Sequence, residues 1–473
     1  MKKTLSKLKR SLRPSTSAPD SAPSSSRLPT TAEVGPPEIN PQSQREASPV
    51  KTPRNSSAQG HAYLENLPPE IRRYLLSSLE WEELDVLVHA SPVFHQQYVL
   101  DRRMFLSQSL EDILQNVPVE ASLVYQSSSL GFAKARDGGT VALLLESYQD
   151  RRTKPQPLDL TDRISLDELS AQVKFYFFVI KPLLRRYASS ALDSLTEVSD
   201  IPHQHTTLSR SEKTRIVRAL YRFQLCCNLF GVGNHKDFSL RRLEYETNSD
   251  LMSTFMGMFE PWEVEEIACI EAFSRYNYNR IFDDIQWDLN PENPRFADHP
   301  RPPTPPGAFE LDDGWTRSTL LQGVISRGLD PLHSVLFKAK THSQLVSTMQ
   351  ESLTWGGSGF LVDDAFGTGS QSKRRSEQRW SRDVKEEQRD PLPFEGDQVT
   401  DANSSHPPLA WTLIWRGTYS NLYGAYVPDP MRRWGYIMWD QSRLEETGAK
   451  EVLARQWAAE WGSHDPRDST YYY

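Results

Sequence analysis

The sequence predicts a mainly α-helical protein: an N-terminal three-helix module, an irregular helical domain, long disordered segments and a small aromatic-rich C-terminal element. Three observations carry that expectation. Apolar residues recur at helical spacing wherever the chain can bury a core, as at Ile71, Leu75 and Leu79. Period-two alternation of β-branched residues is scarce, which argues against a large sheet. Hydrophobic residues make up only 37%, and 33 prolines outnumber 23 glycines, so polar, Pro-rich chain dilutes the globular part. At 473 residues there is room for two or three domains of about 100–200 residues each.

Charge and cysteine content narrow the class. The formal charge is −8, which argues against a specific nucleic-acid binder, since such proteins present a basic footprint. Cys226, Cys227 and Cys269 are too few for a disulfide framework and suit a reducing compartment. No run of about 18 apolar residues exists, so no transmembrane helix is expected. The expected location is the nucleus or the cytoplasm.

Residues 1–60 read as a disordered basic tail. They hold ten Lys and Arg against four Asp and Glu, with nine prolines and twelve serines. Such a segment cannot bury enough apolar surface to offset about 1–2 kcal/mol per residue of ordering entropy. At its start Leu5, Leu8 and Leu12 recur at helical spacing among Lys2, Lys3, Lys7, Lys9, Arg10 and Arg13. Three readings stand for this leader: a solvated tail, a nuclear-import or anionic-surface patch, and a mitochondrial presequence. Further along, Ser48-Pro49-Val50-Lys51 and Thr52-Pro53-Arg54 mark Ser48 and Thr52 as phosphorylation candidates, where each phosphate adds about −1.5 to −2 charge.

Order begins near Ala62, and residues 62–107 read as three short helices. Pro68 and Pro69 suit a first helical turn, where a missing N–H costs nothing, and Glu70 suits the positive helix start. Ile71, Leu75 and Leu79 make one apolar stripe; Trp81, Leu84, Leu87 and Val88 make a second. Ser91-Pro92 ends that helix and opens a third, with Ser91 as cap and Phe94, Tyr98, Phe105 and Leu106 as its apolar side chains. Some 45 residues form a marginal core, so the module needs the rest of the chain or a partner to cover it.

The run Leu67-Pro68-Pro69-Glu70-Ile71, followed by Leu75, Leu79, Leu84, Leu87 and Val88, then Ser91 and Phe94, resembles an F-box. The third helix departs from the commonest pattern, with Pro92 and His95-Gln96-Gln97-Tyr98 where many F-boxes carry a basic residue and a Trp-rich helix. That variant resembles F-box-like proteins of filamentous fungi, in which a Trp-Gly-Tyr-(apolar)-Met-Trp-Asp block, here Trp434 to Asp440, recurs near the C-terminus. The resemblance covers about a tenth of the chain. It implies docking on the Skp-type adaptor of a cullin–RING ubiquitin ligase complex, in the ubiquitin-like conjugation pathway. Its implied adaptor-binding residues are Leu67, Pro68, Ile71, Leu75, Leu79, Leu84, Leu87, Val88 and Phe94.

Residues 108–288 read as a helical domain, clearest over Val141–Tyr148, Leu166–Tyr187, Arg210–Phe230 and Pro261–Ile285. Ser209-x-x-Glu212 is a capping box. Pro261 with Glu263, Glu265 and Glu266 opens another helix, the acids lying toward its positive end. Lys174 to Ile180 is apolar nearly all round and predicts a buried core helix. Residues 289–312 form a Pro-rich linker, 313–355 a helical hairpin, and 356–409 a disordered insertion with Lys373-Arg374-Arg375 inside it. The 410–463 segment holds six of the twelve Trp. It reads as turns, a short extended element and a final helix packing on the helical domain, because leaving so many aromatics exposed would be costly.

Catalytic signatures are missing. No Walker-type or Gly-x-Gly-x-x-Gly loop, His-Glu-x-x-His or Gly-x-Ser-x-Gly motif occurs, and His203-x-His205 and Cys226-Cys227 lack the spaced partners of a zinc site. The expected function is therefore non-enzymatic and cofactor-free. One reading is a substrate receptor that binds an adaptor through residues 67–106 and an unidentified protein target through the remainder. The alternative is a ligase-independent helical interaction scaffold, in which the same helices are simply core. An exposed apolar patch at Leu67, Ile71 and Leu84 favours the first; burial of these residues against the chain beyond residue 110 favours the second.

Overall fold

The computed structural model describes residues 62–114, 117–153, 164–199, 207–233, 245–299, 303–356, 361, 365–367, 381–394, 397 and 406–469. The chain divides into two units, Met1–Arg102 and Arg103–Tyr473. The protein is mainly α-helical, and among the described residues there is no strand, only an isolated bridge between Pro391 and Thr418. The basic leader, Ser48, Thr52 and Lys373 to Arg375 lie outside the described residues.

The first unit holds α1 (Ala62–Glu65), α2 (Pro69–Ser78), α3 (Trp81–Ala90) and the start of α4 (Pro92–Leu114). Its boundaries follow from local chemistry. Pro69 takes the first position of α2, where no intrahelical donor is needed. Glu80 and Glu83 form a reciprocal capping box on α3. The Ser91 hydroxyl accepts the Phe94 N–H at 3.4 Å and donates to the Glu65 carboxylate, tying the α3–α4 turn to α1. Asp101 leaves helical geometry inside α4 (φ −106°, ψ 15°), and its carboxylate accepts from Arg73 at 2.9 Å and from Gln97. That ion pair holds the Asp101 carboxyl below its ordinary value.

The second unit begins with the remainder of α4 and continues with α5 (Pro118–Ser127), α6 (Leu130–Ala135), α7 (Gly138–Thr153), α8 (Leu166–Phe175), a π turn (Tyr176–Ile180) and α9 (Lys181–Ser199). There follow α10 (Arg210–Leu229), α11 (Tyr245–Met256), α12 (Pro261–Leu289), α13 (Gly314–Ile325), α14 (Leu329–His333) and α15 (His342–Ser352). The chain ends in short helices: α16 (Ser381–Gln388), α17 (Leu409–Ile414), α18 (Asp429–Arg433), α19 (Gln441–Glu446), α20 (Ala449–Trp461) and α21 (Pro466–Ser469). Helix α10 packs against α5 and α12. Both α10 and the N-terminal half of α12 are buried on almost every face, so they form the axis of the unit.

Four expectations need correction. Residues 289–312 are not a bare linker: Phe296, Ala308 and Leu311 are buried, and the Phe309 N–H donates to the Leu289 carbonyl at 2.7 Å. These apolar anchors hold a Pro-rich path against the unit. Within the stretch expected to be disordered, α16 is formed, and Asp383 and Glu386 on it are buried against Asn421 and Ser420. The Tyr419 N–H donates to Asp390 and the Leu392 N–H to Gly417. Polar and main-chain bonds hold this piece, so its composition does not advertise it. The run Lys174 to Ile180 is not buried all round, for Lys174 and Phe178 are exposed. Finally, the Trp434 to Asp440 block contains no extended element; it is a chain of turns after α18.

Candidate docking surface and buried charge clusters

In the first unit the apolar side chains separate into an interior and an outer face. Leu76, Leu84, Val88 and Phe94 are buried. The outer face runs from Pro68, which caps α2, through Ile71 and Tyr74 at three-residue spacing, along one side of the helix. Ile71 is 48% exposed and Tyr74 73%, and Leu64 in α1 is also exposed. A turn bond from the Leu67 N–H to the Leu64 carbonyl (3.3 Å), and a bond from Arg72 to the Glu65 carbonyl (2.9 Å), bring α1 beside the start of α2.

The expected adaptor-binding set therefore divides. Pro68 and Ile71 face solvent; Leu67, Leu75, Leu79 and Leu87 are half-buried; Leu84, Val88 and Phe94 lie inside and offer no surface to a partner. Those last three are corrected from contact residues to core residues. Sequence reasoning passed over Leu76, the most buried apolar residue of α2, and over Tyr74, its most exposed. The signal was present: Leu76 stands one position beyond Leu75 and three before Leu79, so it offers an alternative apolar edge to the Ile71, Leu75, Leu79 stripe, and periodicity alone does not say which faces inward.

Among the described residues of the second unit, three of the buried polar clusters mix several arginines and carboxylates from distant parts of the chain. In the first, Arg222 reaches Glu263 at 2.9 Å and Glu120 at 3.2 Å, and Arg218 clamps Glu266 at 2.6 and 2.8 Å. The Tyr148 hydroxyl donates to Glu120 at 2.7 Å. Burial alone would raise the Glu263 carboxyl, but Arg222, Arg218 and Arg152 together pull it well below the usual carboxylate range.

The second cluster ties α12 to the C-terminal segment. The Glu265 carboxylate accepts two bonds from Arg432 (2.9 and 3.0 Å), one from the Gly424 N–H (2.7 Å) and one from the Tyr436 hydroxyl (3.3 Å). Burial lowers the Arg432 guanidinium, but Glu265 more than offsets it and leaves it above its ordinary value. Two glycines permit this approach. Gly424 and Gly435 both have φ near +68°, and a Cβ on either would stand within 2.5 Å of an atom of Phe366 or of the Tyr187 hydroxyl.

The third cluster reuses the α10 cap. Ser209 and Glu212 form the expected capping box, the Ser209 hydroxyl accepting the Glu212 N–H at 3.1 Å. The same Glu212 accepts Arg443 at 2.6 and 2.7 Å. Arg215 meanwhile donates to Asp440 at 3.0 Å and to Asp397. A ladder of rings runs through Trp262–Trp411–Trp415–Trp457–Trp461, with centroids 5.1–6.4 Å apart. Trp411, Trp415, Trp434 and Trp439 are fully buried, so these aromatics close the domain.

Glu271 is the exception to this matching. It is 2% exposed; one carboxylate oxygen has no hydrogen-bond partner and the other stands 3.4 Å from Arg275. Burial pushes this carboxyl up, with Arg275 pulling the other way. A carboxyl raised in the folded state adds stability below its unfolded value of about 4.3, and that contribution is lost as pH rises through the folded value. Glu271→Gln is therefore expected to equal or exceed the parent by up to about 1 kcal/mol at pH 8 and to lose that advantage at about pH 4, below the unfolded carboxyl value. Urea unfolding at the two pH values measures this; a variant weaker at both refutes it.

All three cysteines are buried free thiols, and burial pushes each thiol up, which makes them unreactive packing groups. Among the described residues no group of three or more His, Cys, Asp or Glu side chains is placed to hold a metal ion, and no helix is long and apolar enough to cross a membrane. Neither a family model, nor a curated protein, nor a solved structure matches this chain.

Proposed function

We propose that the chain is an F-box-like substrate receptor of a cullin–RING ubiquitin ligase, acting by proximity in the nucleus or cytoplasm. The first unit docks on a Skp-type adaptor, and the second unit holds a protein target near the ubiquitin-charged enzyme. Catalysis is supplied in trans, by positioning. One observation carries the reading: a short helical unit opening with Leu67-Pro68-Pro69-Glu70-Ile71 leaves Ile71 and Tyr74 exposed along one side of α2, and Leu64 exposed in the helix just before it. Contiguous exposed apolar residues of this kind mark interaction sites. The docking set that follows from it is Leu64, Leu67, Pro68, Ile71 and Tyr74, smaller than the family pattern implies.

Co-purification of a Skp-type adaptor with the full chain tests this. Wild type is expected to retain the adaptor, and Ile71→Asp or Leu67→Asp to lose it at least tenfold, with the helical content of the chain unchanged. Undiminished recovery from both variants removes the receptor reading. A wild-type chain that retains no adaptor leaves the ligase-independent scaffold as the function.

A further inference from the structure

We infer that the face formed by α8, the π turn and the start of α9 docks an acidic segment of a partner protein that carries an apolar side chain. Between Leu169 and Leu192 the chain contains no carboxylate, in a protein of net charge −8. Lys174, Arg185 and Arg186 on this stretch are exposed. Lys181 lies between them, with its ammonium 5.1 Å from the Phe177 ring centre. In their midst Phe178 is 58% exposed, although its neighbours Val179 and Ile180 are buried.

The backbone explains why a large aromatic points outward here. Pro182 has no N–H to return to the carbonyl four residues before it, and the turn ahead of it widens to π, with the Lys181 N–H donating to the Tyr176 carbonyl. The extra residue in that turn shifts the register of the helix surface. Lys174, Phe178, Pro182 and Arg186 then follow one another at four-residue spacing, with Phe177, Lys181 and Arg185 on the adjacent ridge. Single-turn π insertions of this kind recur at functional sites.

The chemistry selects the occupant. Three exposed cations, Lys174, Arg185 and Arg186, flank an exposed phenyl ring along about 18 Å of helix. Carboxylates spaced along a peptide match the cations, and one apolar side chain between them covers the ring. A nucleic-acid strand would also satisfy the cations, but its affinity rests on many phosphate contacts, and the surrounding chain of net charge −8 repels a long polyanion. The surface does not depend on adaptor docking. Loss of adaptor capture leaves it standing, and its own failure leaves the adaptor reading untouched.

The experiment is a selection of random twelve-residue peptides, displayed on phage, on the full-length chain, with Phe178→Ala as the counter-selection target. The recovered pool is expected to be rich in Asp and Glu around Leu, Phe or Trp. An individual peptide from it should bind Phe178→Ala about tenfold more weakly by fluorescence anisotropy, and Lys174→Glu/Arg185→Glu more weakly still, with an affinity that falls as salt rises. Circular dichroism checks that these surface variants keep their helices. A pool without acidic enrichment overturns the inference, as does equal binding to Phe178→Ala. So does a dT12 oligonucleotide that binds more tightly than the peptide and is lost in the same variants.

Discussion

Arg432→Met is expected to cost the second unit about 3–5 kcal/mol, the range for removing one partner of a buried ion pair. Glu265 is fully buried and its carboxylate takes two of its four hydrogen bonds from Arg432. Without them it keeps only the Gly424 N–H and the Tyr436 hydroxyl, which do not neutralise a charge. Such a loss is a large share of the roughly 5–15 kcal/mol by which domains are stable. Arg432→Met/Glu265→Gln is expected to recover most of it, because the amide oxygen still accepts from Gly424 while the buried charge is gone. Urea unfolding followed by circular dichroism compares the single and double variants. A cost near 1 kcal/mol for Arg432→Met, the value typical of surface pairs, would mean that water reaches the carboxylate and that this cluster does not hold the C-terminal segment in place.

Glu265 also shows where sequence reading stops. Pro261 with Glu263, Glu265 and Glu266 announces a helix start, and α12 does begin there, capped reciprocally by Glu260 and Glu263. Local chemistry also places Ser209 and Glu212 at the head of α10 and Ser91-Pro92 at the head of α4. What local chemistry does not reveal is that the same acids are buried and answered by arginines far away in the chain. Arg443 lies 231 residues beyond Glu212, and Arg432 lies 167 beyond Glu265. A carboxylate at a helix start looks the same whether it meets water or a distant guanidinium. The insertion hides its helix for the same reason: α16 is held by Asp383 and Glu386 through Asn421 and Ser420, so nothing apolar signals its place. Exposed Phe178 was misread in the opposite direction, because an apolar run implies burial unless a proline such as Pro182 resets the turn before it.

Leu76→Ala and Ile71→Asp are expected to behave as opposites, and the contrast decides which side of α2 faces a partner. Leu76 is fully buried, so truncation removes its transfer energy and leaves a cavity, together about 2–5 kcal/mol. With some forty described residues, the first unit has little stability to lose. Hydrogen exchange read peptide by peptide should then show α2 and α3 opening while α10 and α12 stay protected. Ile71→Asp alters a half-exposed position, so its effect on stability should stay within about 0.5 kcal/mol. Loss of adaptor capture in a variant whose α2 and α3 amides exchange at the wild-type rate would then be loss of a contact surface. If Ile71→Asp opens the unit as widely as Leu76→Ala, Ile71 belongs to the interior, and its loss of adaptor capture says nothing about the outer face of α2, where only Pro68 and Tyr74 would remain to grip an adaptor.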